Sequence, residues 1–126
     1  MELGFDGGLT CALGVADLDA ALAWYRDVLG FTLLYRLDAI GWAELRTPVD
    51  QVNVGLSQVE RPEVRGGATL TFGVRDIASA RAQLERRRVR FDGATQEIPG
   101  MVKLATFYDP DGNKLMLYQD LRGAHG

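Results

Sequence analysis

The sequence predicts an α+β fold made of two tandem β-α-β-β-β units, on the strength of an internal repeat and of a change of apolar period inside each copy. Leu-Gly-Val-Ala-Asp at 13–17 lines up with Phe-Gly-Val-Arg-Asp at 72–76, an offset of 59 positions. Residues 41–47 and 100–106 share Gly, Leu and Thr at that same offset of 59. After Pro48 and Pro110 the second copy gains two residues, so that 54–58 matches 115–119. The units cover about 9–58 and 68–119, with a linker at about 59–67 and a tail at 120–126, all within one domain of 126 residues.

Each copy opens with an alternating strand, 9–15 or 68–74, followed by Asp17 or Asp76 in position to cap a helix through its side-chain oxygen. In the first helix Leu18, Leu22, Trp24, Tyr25, Val28 and Leu29 recur at helical spacing, and Gly30 supplies the stop. The second runs from Ile77 to about Arg88, and Arg86, Arg87 and Arg88 suit a solvated C-terminal end, where cations complement the helix dipole, better than a phosphate site. Three extended runs follow in each copy: 31–37, 42–47 and 51–58, then 89–92, 101–107 and 114–119. Asp-Pro-Asp-Gly-Asn at 109–113 is a turn. Residues 93–100 read as a mobile loop, and 119–126 carry too little apolar content to be held strongly.

Composition narrows the chemistry. With 47% hydrophobic and 25% charged residues the chain can bury a core without disulfides or a structural metal. A net charge of -3 argues against nucleic acid as a partner. Cys11 is the only cysteine and His125 the only histidine, which excludes a zinc ribbon, a Ser-His-Asp triad within the domain and a two-histidine iron site. No run approaches the roughly 18 apolar residues of a membrane span, and residues 1–6 lack a basic, apolar leader, so the expectation is a cytoplasmic protein with no membrane partner.

Strand alternation then separates core from site. Cys11, Leu13, Val15, Leu70, Phe72, Val74, Val54, Leu56, Leu115 and Leu117 fall on the helix side, together with Leu45 and Leu104. The opposite face receives Thr10, Ala12, Gly14, Thr69, Thr71 and Gly73, which are all small, and is flanked by Asn53, Gly55, Ser57, Lys114, Met116 and Tyr118. The third strands add Trp42, Glu44 and Arg46, and Met101, Lys103 and Ala105. Such a face leaves room for a concave pocket, although an ordinary solvated sheet has similar composition.

The duplicated unit, the run Ala-Ala-Leu-Ala-Trp-Tyr-Arg-Asp-Val-Leu-Gly-Phe at 20–31 and Phe-Tyr-Asp-Pro-Asp-Gly-Asn at 107–113 together resemble the vicinal oxygen chelate superfamily, which includes glyoxalase I, extradiol dioxygenases and bleomycin-resistance proteins. The resemblance spans about 9–119 and implies the glyoxalase/bleomycin-resistance/extradiol dioxygenase fold, a concave cup of two sheets often completed in a homodimer. It also implies a divalent metal held from the first and fourth strands of each unit. Those places carry Thr10, Gly55, Thr69 and Met116 here, which lack the imidazole and carboxylate groups a catalytic metal wants. No metal and no cofactor are therefore expected.

Two functions remain. The first is a metal-free, drug-binding or resistance-like protein that takes a small aromatic molecule, neutral or anionic, against Trp42, Glu44, Arg46, Thr69, Lys103, Met116 and Tyr118. The alternative is a metal-independent lyase, isomerase or cyclase. In it Glu44, buried with a raised pKa, removes a proton, and Arg46 or Lys103 stabilises the oxyanion. Against these stand plainer roles: Trp42 as packing under a helix or at a dimer interface, Glu44 and Lys103 as a surface ion pair, and the whole chain as a structural or regulatory module.

Overall fold

The computed structural model describes residues 4, 6, 8–62 and 69–122. The chain divides into two compact units, Met1–Glu63 and Val64–Gly126. Ala68, most of the expected linker and the end of the tail, with His125, lie outside the described residues.

In the first unit β1 (Leu9–Val15) leads into α1 (Leu18–Asp27), then β2 (Thr32–Leu37), β3 (Trp42–Arg46) and β4 (Val52–Gln58). A short 3-10 turn, Asp38–Ile40, links β2 to β3. The sheet order is β1-β4-β3-β2, with β1 parallel to β4 and the other pairs antiparallel. Asp17 accepts from the Ala20 amide as the capping aspartate should. The Gln58 side chain, at the end of β4, accepts from the Leu18 amide at 2.8 Å, so a second free N–H of the helix start is satisfied by the strand it packs near. At the other end Gly30 takes φ +75° and donates to the Arg26 carbonyl, closing the helix where the glycine predicts. One face of the sheet buries Val15, Ala43, Leu45, Val54 and Leu56 with Leu22 and Tyr25 of α1.

The second unit repeats the plan with β5 (Leu70–Gly73), α2 (Ile77–Arg86), β6 (Arg90–Phe91), β7 (Gln96–Ile98), β8 (Val102–Tyr108) and β9 (Lys114–Asp120). Its order is β5-β9-β8-β6, and β7 also pairs with β8. The cap repeats as well: Asp76 accepts from Ser79, and Gln119 accepts from the Ile77 amide at 2.8 Å. Ile77, Ala105, Phe107, Leu115 and Leu117 form the buried layer. The Asp109 side chain, 3% exposed, accepts from the amides of Asp111 and Asn113 and fixes the predicted turn.

Three expectations need correction here. The segment 93–100 contains β7 rather than a free loop, because Arg81 of α2 clasps it: its guanidinium donates to the Gly93 carbonyl at 2.9 Å and to Thr95 at 3.1 Å while lying over the Phe91 ring. Gln119 and Asp120 belong to β9, held by its ladder and by the helix cap. Finally α2 stops at Arg86, two residues short of the expected end, with Arg88 already at φ 64°. Among the described residues no helix is long and apolar enough to cross a membrane.

Candidate functional site

The face of the first sheet turned away from α1 is organised in rows, because residues paired across strands share a face. The register gives Thr10, Asn53, Arg46 and Thr32 in one row, Ala12, Gly55, Glu44 and Tyr35 in the next, and Gly14, Ser57, Trp42 and Leu37 in the third. Tyr35 reaches this face through a bulge: the pairing steps from Leu33↔Leu45 to Tyr35↔Glu44, leaving Leu34 extra and reversing the sides of the residues that follow.

Glu44 is the hub of the face. Its Oε1 accepts from the Tyr35 hydroxyl at 2.8 Å, and its Oε2 accepts from the Asn53 amide at 2.9 Å and from the Thr10 hydroxyl at 3.3 Å. The Asn53 bond first, then the Tyr35 and Thr10 hydroxyls and the Trp42 indole, hold the Glu44 carboxyl below its ordinary range, against the opposing effect of partial burial. The expectation of a raised pKa is therefore overturned: donors, not desolvation, dominate its surroundings.

The outer edge of the Trp42 indole reaches over Gly55. A Cβ built on Gly55 would collide with the outer atoms of the indole ring, so the missing side chain is what lets the ring sit against the strand. This also excludes Trp42 from the helix-side core, since Ala43 and Leu45 take that side of β3. The Arg46 side chain is exposed and makes no hydrogen bond or ion pair among the described residues. At the end of the first row an open depression of about 400 Å³ is lined by Asp6, Gly8, Leu9, Thr10, Gln51 and Asn53.

The second sheet has its own face turned away from α2. Thr71, Met116 and Thr106 form one row, and Gly73, Tyr118 and Leu104 the next. Tyr118 covers Gly73, where a Cβ would stand 2.8 Å from the phenol ring. Thr69 precedes β5 rather than lying in it. Lys103 is a correction: it pairs with Gln119, and with Ala105 and Phe107 it faces the helix side, where Ala105 and Phe107 are buried. Leu104, expected in the core, faces the other way beside Tyr118. Ala43 and Leu56 correspond to Ala105 and Leu117, so the third strands align 62 positions apart rather than 59. That odd difference of three reverses every side chain on the strand. Glu44 consequently corresponds to Thr106 and not to Lys103, which removes the basis for reading Glu44 and Lys103 as an ion pair of equivalent residues.

These two units define a class. The chain belongs to the Glyoxalase/Bleomycin resistance protein/Dioxygenase superfamily, whose family model matches residues 9–117. It is 31% identical over 118 residues to the protein YaeR of Escherichia coli (strain K12), an alignment covering 86% of this chain and 92% of YaeR. Its identity to lactoylglutathione lyase of Oryza sativa subsp. japonica is 28% over 120 residues, covering 83% of this chain but only 41% of the rice enzyme. Among solved structures, a superfamily member from Sphaerobacter thermophilus superposes with TM-score 0.79 at 26% identity, covering 94% of this chain and 100% of that one. TnmS3, an antibiotic-binding protein from Streptomyces sp. CB03234, has the same fold, with TM-score 0.78 at 24% identity over 94% of this chain and 99% of its own.

The divalent metal that the family implies does not fit the residues present. At the four corresponding places the Thr10 hydroxyl already donates to Glu44, the Trp42 ring covers the space over Gly55, and Thr69 and Met116 offer only a hydroxyl and a thioether. Among the described residues no three His, Cys, Asp or Glu come together as a metal-binding group.

Proposed function

We propose that the chain is a metal-independent binding protein for a small aromatic molecule, held on the exposed face of the first sheet. The observation that carries this reading is the half-buried Trp42 indole reaching over Gly55, on the same face as an exposed Arg46 that makes no hydrogen bond or ion pair among the described residues. A rigid aromatic ring braced over the strand offers apolar contact area at little cost in side-chain entropy. The charge on this face does not favour an anionic ligand over a neutral one, because an ionised Glu44 balances Arg46.

The alternative, a lyase, isomerase or cyclase with Glu44 as base, gains little support. A base needs a free lone pair and a pKa near the working pH, whereas Glu44 is hydrogen-bonded by Tyr35, Asn53 and Thr10 and held ionised. The antibiotic-binding relative of the same fold agrees with the binding reading, although at that identity the likeness concerns the fold. A homodimer belongs to the same proposal. It draws on the exposed Leu34, Leu37 and Ile40 along the edge strand β2 and the turn after it, which association would cover.

The test is native mass spectrometry of the protein purified from its own host. The reading expects a retained organic molecule, with no stoichiometric metal, that is recovered unchanged after incubation. A divalent metal that survives dialysis, or conversion of the retained molecule, would overturn it.

A further inference from the structure

The three rows of the first sheet differ in chemistry along the strand direction, and this specifies the ligand further. The row of Thr10, Asn53 and Arg46 is polar, and the depression beside it adds Gln51 and the acidic Asp6. The next row is bare at Ala12 and Gly55 and is covered by the Trp42 ring. Neighbouring rows are two residues apart along a strand, or roughly 7 Å. A ring stacked on the indole therefore has its edge within reach of the exposed Arg46 guanidinium, which has no protein partner among the described residues.

The ionised Glu44 sets the sign of what that edge carries. Its oxygens are taken up by Tyr35, Asn53 and Thr10, so a ligand cation gains no hydrogen bond from it, while its charge, one row from Arg46, offsets the attraction of the guanidinium for a ligand anion. Arg46 in turn repels a cation. A neutral acceptor satisfies the guanidinium without either penalty.

Resting on the binding reading above, we infer that the site takes a neutral planar aromatic carbonyl compound, its ring stacked on Trp42 and its carbonyl oxygen accepting from Arg46. Gly55 then becomes the residue that sets specificity. Its backbone tolerates a Cβ, since its φ lies outside the left-handed region, and the three nearest atoms such a Cβ meets belong to the movable end of Trp42. Gly55→Ala should therefore lift the indole off the strand and leave the fold in place.

Three naphthalenes of one shape test this by calorimetry: 2-naphthamide, 2-naphthoate and 2-naphthylmethylammonium. The amide should bind best, and each ion at least about tenfold more weakly, on the scale of one lost charged or hydrogen-bonded partner. Gly55→Ala should cost the amide about tenfold. In a Trp24→Phe background, where Trp42 is the only tryptophan, the same substitution should raise acrylamide quenching of the ligand-free protein with far-UV circular dichroism unchanged. Arg46→Ala should weaken the amide but not unsubstituted naphthalene. The inference falls if either ion binds more tightly than the amide, if none of the three binds, or if Gly55→Ala alters neither quenching nor affinity. In each case a molecule retained in native mass spectrometry would leave the broader binding reading standing. Should Gly55→Ala misfold, Trp42→Leu takes its place in the affinity comparison, and unchanged amide binding there is equally fatal.

Discussion

Replacing Glu44 by alanine removes the acceptor shared by Tyr35, Asn53 and Thr10. A hydrogen bond to a charged group contributes about 1.5–3 kcal/mol when desolvated. Here water replaces much of it, since Tyr35 is 44% exposed and Thr10 is exposed at a long 3.3 Å. Only the part-buried Asn53 bond keeps its full scale, so Glu44→Ala should destabilise the protein by about 1–2 kcal/mol at neutral pH. The pH dependence follows from the depressed carboxyl. A group whose folded pKa lies below its unfolded value gives stability that is complete above the unfolded value and vanishes as pH falls through the folded one. The difference between parent and variant should thus be constant above about the ordinary glutamate value of 4.5 and shrink below it. Urea unfolding of both proteins from about pH 7 down to about pH 3 measures this. A difference that grows on acidification, or a carbon-13 titration placing Glu44 above its ordinary value, would refute the network and restore Glu44 as a candidate base.

Other outcomes separate core, cap and assembly. Leu56→Ala opens a cavity at a fully buried position between Ala43 and Leu13 and should cost about 2–5 kcal/mol in thermal or urea unfolding. Gln119→Ala frees the Ile77 amide at the start of α2 and should cost about 1 kcal/mol, with faster hydrogen exchange confined to the first turn of that helix. Sedimentation equilibrium should give twice the chain mass, and charged substitutions at Leu37 and Ile40 should shift it to the monomer.

The first unit was almost wholly legible in the sequence. Strands β1, β3 and β4 alternate cleanly, Asp17 and Gly30 mark the helix ends, and no insertion disturbs the spacing from Gly41 to Gln58, so the pattern puts Trp42, Glu44 and Arg46 on the face opposite α1. It does not place Tyr35 there, because a bulge in β2 leaves only a faint mark on a period-two pattern. The run Leu33, Leu34, Tyr35, in which two apolar residues break the alternation, is the only signal that would have shown it. Lys103 failed for a different reason. Gly41 and Gly100 both take positive φ before the third strand and look equivalent, but the second copy has its extra residues between Gly100 and the core of β8. An offset of 59 therefore matches Leu45 to Leu104 instead of Phe107 and reverses every side chain of that strand. The Glu44 network needed the structure because Thr10, Asn53 and Tyr35 come from three different strands, and sequence distance carries no trace of their meeting.

The central claim is that the Trp42 face binds an organic molecule without a metal. It is tested most directly by titrating the molecule recovered from the native protein into chelator-treated parent and Trp42→Ala proteins. The parent should bind at full stoichiometry without added metal, and Trp42→Ala should lose about 1–3 kcal/mol in affinity with its unfolding transition unchanged. Binding that appears only after a divalent metal is restored, or that is equal in the two proteins, would contradict it.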